Sequence, residues 1–494
     1  MTISQERWRA TPAQRWTLAL SALASFIVVL DMLVVATALS AIQRDLGASL
    51  ADLEWTVNAY TLSFAVLLMT GAALGDRYGR VRMFAAGLAL FAVASAACAL
   101  ATGVGTLVAA RTVQGAAAAM IMPLALALLN GAFPPERRGW ATGIYGSVTG
   151  LAAILGPVLG GAVTEAATWQ WIFWLNVPVG LLAVPLVLTR VAESRGPAAA
   201  LDLPGLALAA GAAFGLTWGL VRAGTAGWGS AETLTALAAG AVLGVAFVAW
   251  ALRAKAPMLP LRLFRSRAFS AGNAVIFFLN AALTGAIFFT AQLHQVALGA
   301  GPLEAGLRLL PWGIVPFLIA PRAGALADRI GERPLIVAGN LLMTAGMGWL
   351  ALLADPEAGY LSMVVPMALG GLGFSLAVPA ATMAVVSRVA PPDIGRASGT
   401  FSTTRQLGGA FGIAILGAAF AAAGGYASPR AFTDGYAVAL ACASALTLAG
   451  AVAGALLPPR ARQRIAAPAG PPRVPGYAGS ARHATGRSED APEG

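Results

Sequence analysis

Between residues 18 and 457 the chain alternates long apolar runs with short polar breaks. Fourteen runs stand out, centred near residues 28, 65, 93, 118, 152, 180, 212, 243, 282, 314, 344, 374, 411 and 446. Each is roughly 18 to 23 residues long, which as a helix crosses about 30 Å of hydrocarbon. The pattern predicts an all-α polytopic membrane protein. The breaks test the count, because helical membrane proteins concentrate Lys and Arg in their cytoplasmic loops. One alternate set of breaks holds Arg7, Arg9 and Arg15; Arg77, Arg80 and Arg82; Arg137 and Arg138; Arg190 and Arg195; Arg253, Lys255, Arg262, Arg265 and Arg267; Arg322, Arg329 and Arg333; Arg388 and Arg396; and the arginines after residue 459. The opposite set holds only Arg44, Arg222, Arg308 and Arg430, while Arg111 and Arg405 fall inside runs. Both termini are therefore predicted to be cytoplasmic.

Composition agrees: 58% hydrophobic and 11% charged residues leave too little polar surface to cover a soluble globule of 494 residues. The formal charge of +11 would suggest a nucleic-acid partner in a soluble protein, but the loop asymmetry already accounts for it, and no such partner is expected. Arg-rich, Ala-rich usage with Lys255 as the one lysine suggests a GC-rich bacterial genome, and so a bacterial cytoplasmic membrane. The first 40 residues superficially resemble a cleaved signal. The first run is too long for one, contains Asp31, and is needed for the topological parity. Cys98 and Cys442 lie in runs, without metal-ligand spacing, and read as packing residues.

The stretch LGDRYGR at Leu74 to Arg80 returns as LADRIGE at Leu326 to Glu332, 252 positions on. Both copies fall in cytoplasmic breaks, after the second and tenth runs. Six spans per half would separate them by about two hundred residues. The excess predicts two spans inserted between two six-helix bundles. The expected organisation is a cytoplasmic N-terminus (1–17), an N-terminal six-helix bundle (18–190), two inserted helices near 204–222 and 234–252 with their linkers (191–268), a C-terminal six-helix bundle (269–457) and a disordered cytoplasmic tail (458–494).

These features resemble the major facilitator superfamily, whose halves are six-helix bundles related by an axis along the membrane normal. Its loop motif, GxLaDRxGRxx, is matched by Gly324, Leu326, Asp328, Arg329, Gly331 and Arg333, and by Leu74, Asp76, Arg77, Gly79, Arg80 and Arg82 with Ala72 in place of the first glycine. The resemblance implies that these contacts latch the cytoplasmic gate. Other stretches are similar to the fourteen-span drug:proton antiporter branch: WTVNAYTLSFA at Trp55, RTVQGAAAA at Arg111, and TWQWIFWLNVPVG at Thr168 with Gln170 replacing the usual arginine. AILGPVLGG at Ala153 resembles that branch's antiporter motif, with Ala152 in the usual preceding glycine position. Its Gly156, Pro157, Gly160 and Gly161 also make local sense. Small residues allow close helix approach, Gly146 and Gly150 extend the face, and proline frees a backbone bond so that the helix bends.

Asp31 reads as the one acid deep in any run. At mid-span an Asp costs about 2.5 to 3.5 kcal/mol to insert and is usually functional. The surrounding LDMLVVATALS resembles the branch's LDxTxVNxALP, keeping Leu30, Asp31, Val34, Ala38 and Leu39 but not the polar groups at Leu33, Ala36 and Ser40. Arg111, which shares a helix face with Gln114, is its expected partner and would favour the ionised form. A proton-coupling role for Asp31 and Arg111 follows as a hypothesis, with a static ion pair as the alternative. Arg405, in FSTTRQLGGAFG, is placed with the gating residues, with anion binding in the cavity as its second reading. Tyr60, Phe64, Gln114, Tyr145, Phe277 and Trp312 are candidates to line a substrate cavity. Gln292, His294 and Gln295 at the outer end of the ninth run are expected to meet water.

The implied function is proton-coupled export of amphipathic drugs, antibiotics or related small molecules. A proton-coupled importer and a non-transporting membrane sensor remain the alternatives. The partners implied are a small-molecule substrate, protons and lipid, and a monomer suffices because both halves line one path. No P-loop, metal cluster or nucleophile-base arrangement points to an enzyme, a metal or a cofactor.

Overall fold

The computed structural model describes residues 10–195, 201–386, 389 and 393–458. The expected tail after Pro458 and the first nine residues fall outside the described residues. The described residues form helices joined by short loops, with no strand among them. Its helices are α1 (Pro12–Leu46), α2 (Leu50–Tyr78), α3 (Arg80–Ala99), α4 (Val104–Ala132), α5 (Pro135–Ala166), the short α6 (Trp171–Trp174), α7 (Asn176–Arg190), α8 (Leu203–Ala226), α9 (Ala231–Arg253), α10 (Arg267–Gln292), α11 (Pro302–Arg308), α12 (Leu310–Ile330), α13 (Glu332–Leu352), α14 (Tyr360–Val386), α15 (Ile394–Ala423) and α16 (Pro429–Ala455). Every run read from the sequence coincides with one of these helices. Among the described residues thirteen are long and apolar enough to cross a membrane. The run near 314 corresponds to α12, several of whose side chains, Asp328 and Arg329 among them, lie outside the described residues.

Hydrocarbon offers no partner for a free backbone group, so each span must begin and end cleanly. Thr11 and Ser49 do this for α1 and α2 by accepting from the backbone N–H of Gln14 and Asp52, whose side chains reach back to close capping boxes. Gly47 ends α1 at φ +62°, a conformation that costs glycine little. Asp202 starts α8 by accepting from Gly205 N and also holds Trp250 Nε1 and Met258 N at 2.8 and 2.9 Å. Partial burial acts to raise its pKa, but these hydrogen bonds prevail and leave the carboxyl below the usual aspartate range.

Within the first half α1 packs on α5, α2 on α4, and α3 on α4 and α7; within the second, α10 packs on α15 and α16, α12 on α14, and α13 on α14 and α16. The two groups meet where α2 runs along α15 and where α11 lies on α5. α8 and α9 pair through Gly215 and Gly240, and α8 covers α2 and α15 from outside, with Trp55 against Phe214 and Trp218. At the Leu46 end of α1 one apolar core continues from Val34, Leu39, Leu53 and Trp169 to Ile276, Phe289 and Leu293 of the second group.

Candidate functional site

Asp31 is 1% exposed and Arg111 is fully buried. Arg111 Nη1 donates to Asp31 Oδ2 at 2.5 Å, and Gln114 Nε2 and Asn176 Nδ2 each donate to Oδ1 at 2.8 Å. All three partners are donors, so the array fits a carboxylate and not a carboxylic acid. The supporting contacts come from the neighbouring helices. Ser95 Oγ of α3 accepts from Gln114 at 2.8 Å; Thr56 O of α2 accepts from Arg111 Nε at 3.1 Å; the guanidinium lies 4.2 Å over the Tyr60 ring and 5.7 Å over that of Phe173. Tyr60 is fixed in turn by its hydroxyl on Val28 O. The pair expected from the sequence is thus present, inside the first helical group. Asn176, Ser95 and the Thr56 carbonyl were not anticipated; Asn176 lay within the quoted WLNVPVG segment, where an amide in an apolar span was the available signal.

The α5 glycines divide into two sets. A Cβ on Gly156 would meet Leu33 at 2.8 Å, and one on Gly160 would meet Val34 and Thr37 of α1. Thr37 Oγ1 donates to Pro157 O at 3.2 Å, a carbonyl on which Gly306 of the second group also rests. Gly161 is pressed onto the carbonyl of Pro302. Gly143, Gly146 and Gly150, toward the other end of α5, have open space beside them. The seam between the groups is therefore closed at the Leu46 end, where Glu165 also accepts from Leu303 N and Gln295 donates to Thr37 O, each at 3.1 Å.

Around the repeated loops, Gly79 and Gly331 both take positive φ, +110° and +88°. Asp76 pairs with Arg80 at 2.8 Å, and Arg77 is exposed and lies over the Tyr78 ring. The carboxylate that binds the start of α3 is Glu193, which lies outside the loop motif and accepts from Val81 N at 2.9 Å and Arg82 N at 3.3 Å. Arg333 is exposed beside the buried Gly331. Arg405 lies about 16 Å along α15 from its Ile394 end. Its guanidinium has no hydrogen bond or ion pair among the described residues. Below it Gly408 and Gly412 let α15 settle on Phe277 and Ala281 of α10.

The six cavity candidates do not converge. Tyr60 and Gln114 belong to the ion-pair cluster, and Phe64 is core beside Tyr60. Tyr145 is bound to Ser25 Oγ at 2.7 Å, Phe277 packs on Phe411, and Trp312 is wedged against Gly370 and Gly371. A cleft of about 630 Å3 lies elsewhere, between α2, α4 and α8, lined by Trp55, Val66, Val108, Leu206 and Phe214. It is an apolar furrow on the outside of the first group. One expectation is corrected. Gln292 and His294 do not meet water: Gln292 ends α10 at 1% exposure, and His294, in the π-helical turn at Leu293–Ala297, is fully buried beside Tyr360. Glu54, near the start of α2, is a second acid shut away from water, at 2% exposure.

Stacked apolar helices around a sealed charge pair define a multi-pass membrane protein. The chain belongs to the Major Facilitator Superfamily, whose profile matches residues 21–413 and again 273–483. It is 37% identical over 422 residues to the tetracenomycin C resistance and export protein of Streptomyces glaucescens, covering 85% of this chain and 78% of that one. It is 35% identical over 466 residues to the cephamycin export protein of Amycolatopsis lactamdurans, covering 92% and 95%. The fold is shared with a peptide transporter, POT (TM-score 0.65, 16% identity, 90% and 96% covered), and with the xylose transporter XylE of E. coli (TM-score 0.60, 13% identity, 90% and 97% covered).

Proposed function

We propose that this chain is a proton-coupled antiporter that exports amphipathic small molecules, antibiotics among them, from the cytoplasm by alternating access. The observation that carries the reading is the Asp31–Arg111 pair, sealed between the middle of α1 and the first third of α4, with donors alone on the carboxylate. An acid so placed is expensive to insert and is usually functional. Relatives named for exporting or resisting antibiotics support the direction and the class of passenger. In this reading the chain has fourteen spans, with α12 as the fourteenth, arranged as two six-helix bundles and the inserted α8–α9 hairpin. The matching pairs α1–α5 with α10–α15, α2–α4 with α12–α14, and α3–α7 with α13–α16 support the repeat. The arginine-rich loops and both termini are cytoplasmic, so the closed Leu46 end faces outward.

The mechanism uses the residues already in contact. Outside, a proton taken up on an Asp31 carboxylate oxygen removes its charge and weakens the bond to Arg111. Inside, the proton leaves and the pair re-forms, which is the arrangement seen here. Leu33, Val34 and Thr37 lie within two turns of Asp31 on α1 and hold Gly156, Gly160 and Pro157 of α5, which hold α11. A shift of α1 is thereby passed to the outer seam, giving the two gate states unequal proton affinity, as coupling requires. Asp76 with its neighbours and Asp328 with Arg329 form the inner latch in this reading.

In this reading Arg405 belongs to the passenger path and not to the latch, since it lies three turns inside α15 without a partner among the described residues. Arg405→Gln is expected to weaken export of passengers carrying an acidic group by roughly tenfold or more, the worth of a hydrogen bond to a charged group, and to leave neutral ones within about twofold. Equal losses for both, measured by uptake into inside-out vesicles, would return it to the gate. The function itself is tested in proteoliposomes without nucleotide, loaded with an imposed pH gradient and offered tetracenomycin C or a cephamycin. Accumulation against the proton flow that collapses with a protonophore is expected. Accumulation indifferent to the gradient, or movement with the proton, contradicts antiport.

A further inference from the structure

Glu54 is the fifth residue of α2, at the outer end, and is 2% exposed. Gly417 of α15 presses against it so closely that a Cβ there would collide with the carboxylate. Neither carboxylate oxygen has a donor or a cation among the described residues. The groups around it are accounted for. Asp52 on the same helix closes the capping box with Ser49. Arg222 of α8, which reaches α15 beside Gly224 and Ala421, is bound by Glu232 at 2.6 and 2.8 Å. The titratable neighbour is Tyr426 in the α15–α16 loop, whose hydroxyl donates to Gln292 of α10 and whose ring packs on Phe420 and Phe432.

We propose that Glu54 is a second proton-binding site, one that takes its proton from the outer solution and by doing so seals the outer seam. An ionised carboxylate shut between α2 and α15 without a counter-charge would cost several kcal/mol, so the closed seam holds it protonated. When α2 and α15 part at this end the carboxyl meets water, where glutamic acid ionises with a pKa of about 4.3. The closed state therefore binds this proton more tightly than the open one, and by linkage the proton favours closure. Raising the outer pH draws the equilibrium toward the outward-open form. The proton at Glu54 returns to the side it came from, so it sets when the gate closes and is not the proton exchanged for the passenger. The inference rests on the orientation and alternating access proposed above.

The test uses the full chain in nanodiscs with Cys98→Ala, Cys442→Ala and Asp31→Asn, so that no outcome depends on the antiport proton. Spin labels at Ala167→Cys and Glu304→Cys, both exposed at the outer seam, report its width. Between about pH 5 and about pH 9 the open-to-closed ratio is expected to rise with pH, by up to about tenfold per unit. Adding Glu54→Gln should hold the seam closed with less than about a twofold change over the same range, while Glu54→Asp keeps the slope. Equal slopes with and without Glu54→Gln, or no slope while Glu54 is present, would overturn the proposal. The width distribution of each folded, monodisperse variant is read directly, so a merely structural role for Glu54 would register as no slope.

Discussion

Asp31→Asn is expected to abolish gradient-driven accumulation, leaving only passive leak across the membrane. Asn matches Asp in shape but cannot take and release a proton, and its amide nitrogen would face the donor of Gln114, Asn176 or Arg111. Removing the carboxylate also leaves Arg111 charged and sealed, which costs about 3 to 5 kcal/mol in buried pairs. Arg111→Gln should cost a similar amount by stranding Asp31. Combining the two removes both charges, so thermal unfolding of the double variant should return most of the way to that of the unaltered protein, a coupling a double-mutant cycle reads directly. The cycle also separates a static pair from a proton site. A static pair predicts that the double variant recovers uphill transport together with stability. A proton site predicts recovery of stability alone.

Gly161→Val is expected to prop the outer seam open. Gly161 sits on the Pro302 carbonyl with no room for a side chain. Overpacking a tight contact costs roughly 1 to 3 kcal/mol, or about 5- to 150-fold in the ratio of outer-open to outer-closed protein. The substitution strains only the closed state, because the contact exists only there. Transport should fall with that ratio while the folded yield changes little. Spin labels at Ala167→Cys and Glu304→Cys should show a larger population of long distances. The same valine at Gly146, which faces open space, should leave the distribution unchanged. A seam that stays closed with Gly161→Val would remove this contact from the gating mechanism.

Much of this was legible in the sequence because membrane constraints act locally. A run must be long enough, uncharged and capped, so every apolar run became a helix. Asp31 and Arg111 could be paired because a charge in hydrocarbon needs a partner and Arg111 was the nearest candidate by motif. What was not legible depends on which faces meet. Asn176 and Ser95 look like ordinary small polar residues in apolar helices until α7 and α3 bring them to Asp31. Glu54 stands near the start of its run, where a carboxylate commonly serves the helix terminus, and only the approach of Gly417 buries it. His294 ends a run, where water is the ordinary neighbour, but the fold buries it beside Tyr360. Tyr60 and Gln114 read as cavity candidates by residue type, while their contacts with the charge pair depend on how the helices pack.

The most direct test of the proton site is the luminal pH of inside-out vesicles with an acidic interior. Transported compound is added outside, and the unaltered protein is compared with Asp31→Asn at matched membrane content. Compound-dependent alkalinisation in the unaltered protein, absent from Asp31→Asn, is the expected result. Alkalinisation of equal rate in both would contradict a proton carried by Asp31.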